Sequence, residues 1–576
     1  MAQTDLINEG LLADYHDELM KTHIAGGCVF DISAYKASGT PLTPAKFANL
    51  AAALGTNGAN VPVSMRKGGM SVKFIQSSDN KYVQFRYMGT ATTGSPNPFL
   101  DVANWQGVDD EPTAGSENLV KSGGVYYALQ GEYVVVTATA NTGSVATAMV
   151  GIYDVNDVLI VEGEGEVTAR ILYGKTYKVK CSRVYDYLTP AEQTFTASIP
   201  SRQVTMQYTY IERDTITIDQ TVSNEQSMIS GDVQGDVIKA IRAASHLYLG
   251  KQTEAGNQLI CQLSDTDGTK YHDGTTAAMN GSEGDQWMKL PVFWWKVTPI
   301  GTANADDTYD QYSFSFAFAG EPDPSWHKWE GDMNLLGAKK MYVTGNKGYS
   351  RSGIQGSANF TQAQGNSYAA ARGTGYSCVT WEWQWIMCVL FYAWYGRMNS
   401  QAQCGSGSNI NTRTLGTKDS LGMTDTTSAN GNSDNTKFWG IENWWGDLTE
   451  WIGNITSQNY VVTIVDMNTK QSRTVSGWYQ FGGTGGYASR FKVTDLLDFI
   501  PRAKNGTETT CYCDWVNGNT GSRVVSRSYN YASPLGGVAA VNSLLDPSYT
   551  DAGLGARLAF NGVITEAESV GDYKQA

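Results

Sequence analysis

The sequence predicts a multi-domain protein that is mainly β, with some mixed α and β structure. At 576 residues the chain is too long for one hydrophobic core and should divide into three or four domains. Apolar residues make up 41% of it, which supports folded domains rather than disorder. Between residues 133 and 210, polar and apolar residues alternate with the period of a β-strand.

The charge pattern excludes one class of partner. Charged residues make up only 17% of the chain, so the polar surface must consist largely of Ser, Thr, Asn, Gln and Gly. This composition suits a β-rich extracellular or virion protein, although cytosolic β proteins share it. The net charge of -14 is spread along the chain without a basic run. Because phosphate binding needs clustered cations, we expect no nucleic-acid partner.

Neither a secretory signal nor membrane insertion is predicted. Residues 1–20 lack a basic segment followed by a continuous apolar run. The most apolar window, residues 385–395, has about half the length that a bilayer span requires. The cysteines are scattered and predict buried thiols in a reducing compartment rather than disulfides. They are Cys28, Cys181, Cys261, Cys378, Cys388, Cys404, Cys511 and Cys513.

The first part of the chain predicts a short helix and a small α+β domain. Residues 5–20 have apolar positions at helical spacing, and we assign residues 1–26 to an N-terminal attachment helix. In the α+β domain, residues 27–108, Thr43-Pro44 predicts the start of a helix and Gly55 its end. Two β-rich segments around Ser78-Asp79-Asn80 predict a hairpin.

The middle of the chain predicts a linker and a spacer domain. Residues 109–131 are rich in acids, Ser and Gly, which is typical of a linker. Residues 132–213 contain several alternating strands, for example Tyr177 and Val179 between lysines, which predict an immunoglobulin-like β-sandwich. This sandwich contains no catalytic set of residues, so we interpret it as a spacer.

The rest of the chain predicts a connecting segment and one large domain. Residues 214–244 include Val237, Ile238 and Ile241 and predict a connecting helix. The domain itself covers residues 245–576. Within it, residues 289–296 predict an apolar strand, and residues 380–395 predict a helix with Thr380 as N-cap and one apolar side.

An aromatic stretch at residues 438–454 organises this domain. It contains four tryptophans and three glycines, and each internal glycine would cost a helix about 1 kcal/mol. We therefore predict tight bends that place indole rings in a core. The polar residues between them are expected to cap backbone donors; they are Glu442, Asn443, Asp447 and Glu450.

This stretch resembles the signature of the formylglycine-generating-enzyme type of C-type lectin fold. The common form is Gly-Leu-x-x-x-x-Gly-Asn-Val-x-Glu-Trp, and this chain has Gly440-Ile441 followed by Gly446-Asp447-Leu448-Thr449-Glu450-Trp451. The helix at residues 380–395 lies where the family has an aromatic helix, although the family's Arg-Leu-Pro opening is missing. The resemblance implies a C-type lectin, formylglycine-generating-enzyme-like domain at residues 245–576.

The C-terminal part resembles a narrower group. Residues 522–529, Gly536-Gly537 and residues 555–560 are similar to the variable region of gut-bacteriophage tail fibres diversified by retroelements. In those proteins a fixed frame of strands holds changeable positions. Residues 50–75 and the linker also resemble such phage proteins, and the resemblance implies a variable-type region at about 523–560.

The resemblance raises an enzyme hypothesis that the local sequence disfavours. Cys511 and Cys513 have a shorter spacing than the family's reactive cysteines, and their surroundings do not match, so structural thiols are the preferred interpretation. Asp265 to Gly274 superficially resembles a calcium loop, but Lys270 and Thr276 occupy the positions of the required Gly and Glu. No cofactor is predicted. Calcium at the acids of the aromatic stretch is the minority interpretation.

A ligand surface is predicted from composition and from the phage resemblance. Two segments after residue 528 mix Tyr, Asn, Ser, Leu and Asp without a period, and binding surfaces favour such residues. An ordinary surface loop is the alternative. The predicted ligand-binding residues are Tyr529, Asn530, Tyr531, Ser533, Leu535, Asn542, Leu544, Tyr549 and Leu554.

The function predicted from the sequence is that of a phage tail-fibre receptor-binding protein, not an enzyme. Its expected partners are a host-surface glycan or protein, other virion tail proteins, and copies of itself in a homotrimer. Its expected location is the virion tail, after assembly in the bacterial host cytoplasm. The alternatives are a formylglycine-generating-enzyme-like oxidase and a bacterial cell-surface lectin or adhesin.

Overall fold

The chain forms two compact units. Unit 1 comprises residues 1–182 and 190–207, and unit 2 comprises residues 183–189 and 208–576. The fold is mainly β, with several separate sheets, as the sequence predicts. The finer domain boundaries stay predictions. A computed structural model describes residues 29–34, 45–109, 119–120, 133–141, 148–197, 201–407, 413–432, 434–478, 480–481, 483–529 and 535–576.

The N-terminal sheet of unit 1 has the strand order β1-β3-β4-β5-β6, with β2 beside β3. Its elements are β1 (Val29–Asp31), β2 (Lys46–Phe47), α1 (Leu50–Leu54), β3 (Ser71–Gln76), β4 (Tyr82–Tyr87), β5 (Trp105–Asp109) and β6 (Leu119–Val120). β3 and β4 pair antiparallel, which confirms the predicted hairpin. Short 3-10 turns lie at Thr56–Gly58, Val63–Met65, Pro98–Leu100 and Val102–Asn104.

The predicted helix of this domain is shorter than expected. It ends at Gly55, as predicted, but begins only after Asn49, whose side chain accepts a hydrogen bond from the Ala52 N–H. The reason is that Lys46 and Phe47 pair in parallel with β3, which keeps the chain extended up to that point. Thr43, Pro44 and the predicted helix at residues 5–20 lie outside the described residues.

Residues 133–210 form further strands. They are β7 (Tyr133–Asn141), β8 (Met149–Asp154), β9 (Leu159–Glu164), β10 (Glu166–Leu172), β11 (Thr176–Cys181), β12 (Tyr187–Leu188), β13 (Gln193–Thr196), β14 (Ser201–Gln207) and β15 (Thr209–Tyr210). Sheets β10-β7-β14 and β13-β11-β8-β9 enclose one core, in which Tyr177 and Val179 are buried as the alternation predicts. The immunoglobulin-like assignment stays a prediction. β12 pairs with β15 within unit 2.

The first sheets of unit 2 are built from residues 213–378. The strands are β16 (Arg213–Asp219), β17 (Ile229–Gly231), β18 (His246–Gln252), β19 (Gln258–Gln262), β20 (Asp285–Lys289), β21 (Phe293–Ile300), β22 (Gln311–Ala317), β23 (His327–Trp329), β24 (Asn334–Thr344), β25 (Lys347–Ser350) and β26 (Tyr376–Cys378). One sheet has the order β17-β16-β22-β21-β23. The segment predicted as a connecting helix therefore also contributes two strands to this sheet.

The remaining strands follow the aromatic helix. They are β27 (Lys437–Phe438), β28 (Ile441–Glu442), β29 (Thr449–Gln458), β30 (Val461–Val465), β31 (Ser472–Ser476), β32 (Gly486–Tyr487), β33 (Arg490–Val493), β34 (Phe499–Ala503), β35 (Trp515–Gly518), β36 (Ser522–Arg527), β37 (Val541–Ser543), β38 (Leu554–Gly555), β39 (Arg557–Asn561) and β40 (Ile564–Glu566). One large sheet has the order β26-β39-β24-β20-β18-β19-β40, and another β31-β30-β29-β36-β37-β35-β32.

The helices of unit 2 are short apart from one. They are α2 (Asp236–Ala243), α3 (Gln362–Ala370), α4 (Trp381–Tyr395), α5 (Ser400–Cys404), α6 (Ser428–Gly431) and α7 (Val570–Gln575), with a 3-10 turn at Asp419–Leu421. α2 buries Val237, Ile238 and Ile241, as predicted. The strand predicted at residues 289–296 is in fact two strands, β20 and β21. They are separated around Pro291, which has no N–H to donate to a ladder.

Helix α4 lies in the centre of the core of unit 2. Thr380 caps its start and Gly396, with φ +63°, ends it, as the sequence predicts for the N-cap. The prediction of one apolar side is wrong, because Trp381 and residues 383–393 are all buried. Trp385 stacks on Phe499 with ring centroids 4.6 Å apart. No helix among the described residues is long and apolar enough to cross a membrane.

Candidate functional site: a buried frame and the surface beside it

The aromatic stretch at residues 438–454 lies inside unit 2. Trp439, Trp444, Trp445 and Trp451 are each fully buried. The predicted tight bends are present, since Trp439, Gly440, Asn443, Gly446 and Asp447 all have positive φ. These rings therefore cannot stack on a ligand, and the stretch forms part of the frame of the domain.

The acids of the stretch do more than cap the backbone, which corrects the sequence prediction. Glu442 accepts a hydrogen bond from the Gly416 N–H at 2.8 Å, but it also pairs with Lys339 at 2.6 Å. Only Asn443 fits the prediction closely, because its Oδ1 accepts from the Thr436 N–H at 3.0 Å. The sequence did not predict cationic partners such as Lys339, because they lie on strands that are distant along the chain.

Glu450 lies at the centre of a buried cluster of charges. Arg527 Nη1 lies 2.6 Å from one of its oxygens, and Lys340 Nζ and Arg557 lie 2.9 Å from the other. The Arg527 guanidinium also stacks on Trp444, with its central carbon 3.5 Å from the ring centroid. Arg527 and Arg557 belong to β36 and β39.

The electrostatics of this cluster keep Glu450 ionised. Burial alone would raise the pKa of Glu450, but the charges of Arg557, Lys340 and Arg527 outweigh it and lower the pKa to about 2. Asp447 has the opposite environment, and its burial raises its pKa to about 6. A carboxylate that is enclosed by three cations and closed to solvent is a structural group rather than a ligand group.

The Gly536-Gly537 turn is anchored from below by three buried side chains. Asp514 accepts from the Ala539 N–H at 2.7 Å, and Ser400 Oγ accepts from the Val538 N–H at 3.0 Å. Gln384 of helix α4 donates to the Val538 carbonyl at 2.7 Å. The turn therefore has a fixed position, and the residues on either side of it extend from a rigid support.

Several of the predicted ligand residues lie beside this turn. Ser528 and Tyr529 both have positive φ, and they direct the chain away from the end of β36. The Leu535 carbonyl accepts from the Trp515 N–H at 3.2 Å, which places Leu535 next to β35. Asn542 lies in β37, and its Oδ1 accepts from the Leu544 N–H at 2.8 Å. All four predicted residues, Tyr529, Leu535, Asn542 and Leu544, are partly exposed.

The other predicted ligand residues are distributed differently. Tyr549 is 40% exposed and lies in a separate loop, where its N–H donates to the Asp546 carbonyl. Leu554 is 2% exposed and belongs to β38, which pairs with β29, so its side chain is in the core and not at the surface. Asn530, Tyr531 and Ser533 lie outside the described residues.

The sequence analysis missed an aromatic pair next to this surface. Tyr487 of β32 and Trp515 of β35 are both partly exposed, and their ring centroids are 5.3 Å apart at an interplanar angle of 85°. They lie opposite each other in the antiparallel register. Tyr487 follows a Gly-rich segment and Trp515 follows the two cysteines, and neither segment has a recognisable binding pattern. Only the non-local pairing of the strands could have revealed the pair.

The cysteine pair and the calcium-like loop have ordinary structural roles. Cys511 and Cys513 are buried, and burial raises the pKa of both thiols, which is the opposite of what a nucleophile needs. Asp267 and Asp273 accept from Thr269 and Thr275, two residues ahead, as in Asp-containing turns. The described part of the chain has no cluster of three His, Cys, Asp or Glu residues that could hold a metal ion.

Comparison with known proteins gives little further information. No protein family and no curated protein matches the sequence. One solved structure that is similar belongs to a DUF1812 protein of Bacteroides thetaiotaomicron VPI-5482, whose given name suggests polysaccharide binding. It shares 9% identity and covers 35% of this chain and 75% of its own, with a TM-score of 0.14. At that TM-score the similarity supports no conclusion about fold or function.

Proposed function

We propose that the chain is a receptor-binding protein of a phage tail fibre. The observation that carries the proposal is the division of unit 2 into a buried frame and an adjoining surface. Arg527 and Arg557 fix two frame strands on Glu450, while Tyr529, Asn542 and Leu544 emerge beside them. Such a frame tolerates changes in the surface residues, because none of the frame contacts depends on them.

The proposal includes the finer assignments that the sequence resemblance implies. Residues 245–576 form a C-type-lectin-fold tip whose side chains near residues 529–549 recognise a glycan or protein on the host surface. The sandwich of unit 1 is a spacer, and the N-terminal region attaches to other virion tail proteins. The chain assembles as a homotrimer in the bacterial cytoplasm and acts on the virion tail.

Adsorption of the purified chain to bacteria tests this function. We expect the wild-type chain to bind the surface of its host and to block infection. Alanine at Tyr529 and Leu544 together with Asp at Asn542 should abolish binding without lowering the thermal midpoint, because these side chains lie outside the core and Asp keeps the acceptor for the Leu544 N–H. Tyr82→Ala is the matched control, since Tyr82 is 51% exposed and lies in unit 1. Unchanged adsorption of the triple variant would contradict the proposal.

The neighbouring DNA tests the diversification. We expect a near-copy of the segment that encodes residues 523–560, differing at adenines and beside a reverse transcriptase gene. Its absence would leave a tail fibre whose tip has a fixed sequence.

A further inference from the structure

Next to the proposed ligand surface, the adjacent strands β37, β35 and β32 carry a second group of side chains, most of which the sequence did not predict. β35 lies between β37 and β32 at one end of its sheet. Val516 pairs with Val541, and both are buried on the core side. Because side chains alternate along a strand, Trp515, Asn517 and Asn542 lie on the opposite face, and Tyr487 joins them through its pairing with Trp515. We call these four residues the outer face.

The aromatic part of the outer face is rigid. Tyr487 and Trp515 form an edge-to-face pair, which is a favoured geometry for two aromatic rings. Gly485 makes room for the indole, because a Cβ there would lie 2.2 Å from Trp515 Nε1. The rings are therefore held in place before any ligand arrives, which lowers the entropy cost of binding.

The side-chain carboxamides of Asn517 and Asn542 are each oriented by one hydrogen bond to their Oδ1 atom. Asn517 Oδ1 accepts from the Gly518 N–H, and Asn542 Oδ1 accepts from the Leu544 N–H, both at 2.8 Å. These bonds fix both carboxamide planes. Within the described part of the chain, neither Nδ2 group donates to any acceptor. Asn542 is partly exposed, so its Nδ2 can bind a ligand oxygen, whereas Asn517 is 7% exposed and forms the base of the outer face.

None of the four residues of the outer face carries a formal charge, and two cations of unit 2, Lys504 and Arg523, have hydrogen-bond partners outside it. Lys504 donates to the Thr484 carbonyl and lies over Phe481. Arg523 donates to the carbonyls of Thr520 and Leu544, at 2.6 and 3.0 Å. The four residues themselves therefore offer a ligand aromatic rings and an amide donor, but neither a cation nor a carboxylate, which favours an uncharged ligand.

From this chemistry we propose that the outer face binds a neutral glycan, an inference that rests on the proposed receptor-binding function. The apolar C–H face of a sugar ring packs on the partly exposed Trp515 and Tyr487 rings, and a hydroxyl oxygen accepts from Asn542. Asn542 belongs both to the outer face and to the ligand residues predicted from the sequence. The glycan site therefore extends the proposed ligand surface across β35 to the sheet edge.

Binding to a printed array of neutral, sialylated and sulfated oligosaccharides tests the ligand class. We expect the full-length chain to bind neutral glycans. Trp515→Ala should weaken that binding by about tenfold or more, since aromatic residues dominate such contacts. Asn542→Asp should also weaken it, because Asp keeps the acceptor for the Leu544 N–H but replaces the amide donor with a charged oxygen, which repels a hydroxyl oxygen. Tyr185→Ala, at an exposed tyrosine elsewhere in unit 2, should have no effect.

A parallel cell experiment separates this inference from the proposed function. Bacteria that adsorb the chain are treated with periodate, which cleaves sugars, or with protease. Adsorption lost only to protease, without array binding to neutral glycans, overturns the glycan and leaves receptor binding intact. Array binding to neutral glycans by a chain that adsorbs to no bacterium supports the glycan site and overturns the receptor-binding function. Wild-type binding in neither assay overturns both. If Trp515→Ala lowers the thermal midpoint, Asn542→Asp decides, and its unchanged binding overturns the site.

Discussion

At the scale of single residues, Glu450 owes its role to residues far away in the sequence. Its carboxylate binds Lys340, Arg527 and Arg557, which come from three different strands. Moving these charges out of water is costly, and their mutual attraction offsets the cost only while every partner is present. Removing one partner should therefore cost more than the pair contributes to the free energy of folding.

We expect Glu450→Gln to lower the free energy of unfolding by roughly 3–5 kcal/mol, because it leaves buried cations without a countercharge. Urea unfolding followed by tryptophan fluorescence measures this change. Glu254→Gln is the control, since Glu254 is exposed and should change stability by less than about 0.5 kcal/mol. Equal stability of both variants would show that the cluster does not hold the frame together.

Lys437 should make stability depend on pH. Burial, together with the charge of Lys339, lowers the pKa of Lys437 to about 7 from its usual 10.5. Between these two values the unfolded chain binds a proton that the folded chain does not. The free energy of unfolding should therefore rise as pH increases from about 7 to 10.5. In Lys437→Met this contribution should disappear, whereas Lys239→Met, at an exposed lysine, should retain it. Identical slopes in the wild type and Lys437→Met would contradict the assignment.

At the scale of elements, the Gly536-Gly537 turn joins the buried frame to the proposed ligand surface. Gly537 has φ +152°, and a Cβ at this position would lie 1.8 Å from Asp514 Oδ1. Asp514 cannot simply move, because it is buried and accepts from the Ala539 N–H. A side chain at position 537 must therefore displace the turn itself.

We expect Gly537→Ala to cost roughly 1–3 kcal/mol of stability and to weaken ligand binding, because the displaced turn moves Leu535 and Tyr529. Thermal unfolding and cell adsorption are the measurements. Gly256→Ala is the matched control, since Gly256 also has positive φ but has open space around its Cβ position. A smaller effect at 537 than at 256 would mean that the turn is not tightly anchored.

At this scale, a structural feature could be predicted from the sequence only where it depends on residues close together along the chain. Thr380 could be recognised as an N-cap because capping involves only the next three residues. The burial of α4 on all sides could not be predicted, since it depends on strands that are distant in the sequence, such as the one that contains Phe499. The same reason explains why the pairing of Tyr487 with Trp515 could not be predicted, since it joins two strands that are distant in the sequence.

At the scale of the whole molecule, the chain passes between its two units three times, at residues 182–183, 189–190 and 207–208. The short segment 183–189 belongs to unit 2, where Asp186 pairs with Arg213. The frame, the turn and the outer face all lie within unit 2. The proposed ligand recognition therefore involves residues of unit 2 alone, and in the proposed tail fibre unit 1 serves for spacing and attachment.

The proposed homotrimer predicts a dependence of binding on ligand density. The three ligand-binding domains of one trimer can bind a dense glycan surface together, and each bound domain raises the effective concentration of ligand for the others. We expect the apparent affinity for immobilised glycan to be about 100-fold higher, or more, at high than at low density. Surface plasmon resonance at graded densities measures this, and light scattering gives the mass of the same sample. A Trp515→Ala trimer should keep the density dependence at weaker overall affinity, because the tips change and their number does not. A wild-type chain whose affinity is independent of density, and whose mass is that of one 62.6 kDa chain, would show that it acts as a monomer.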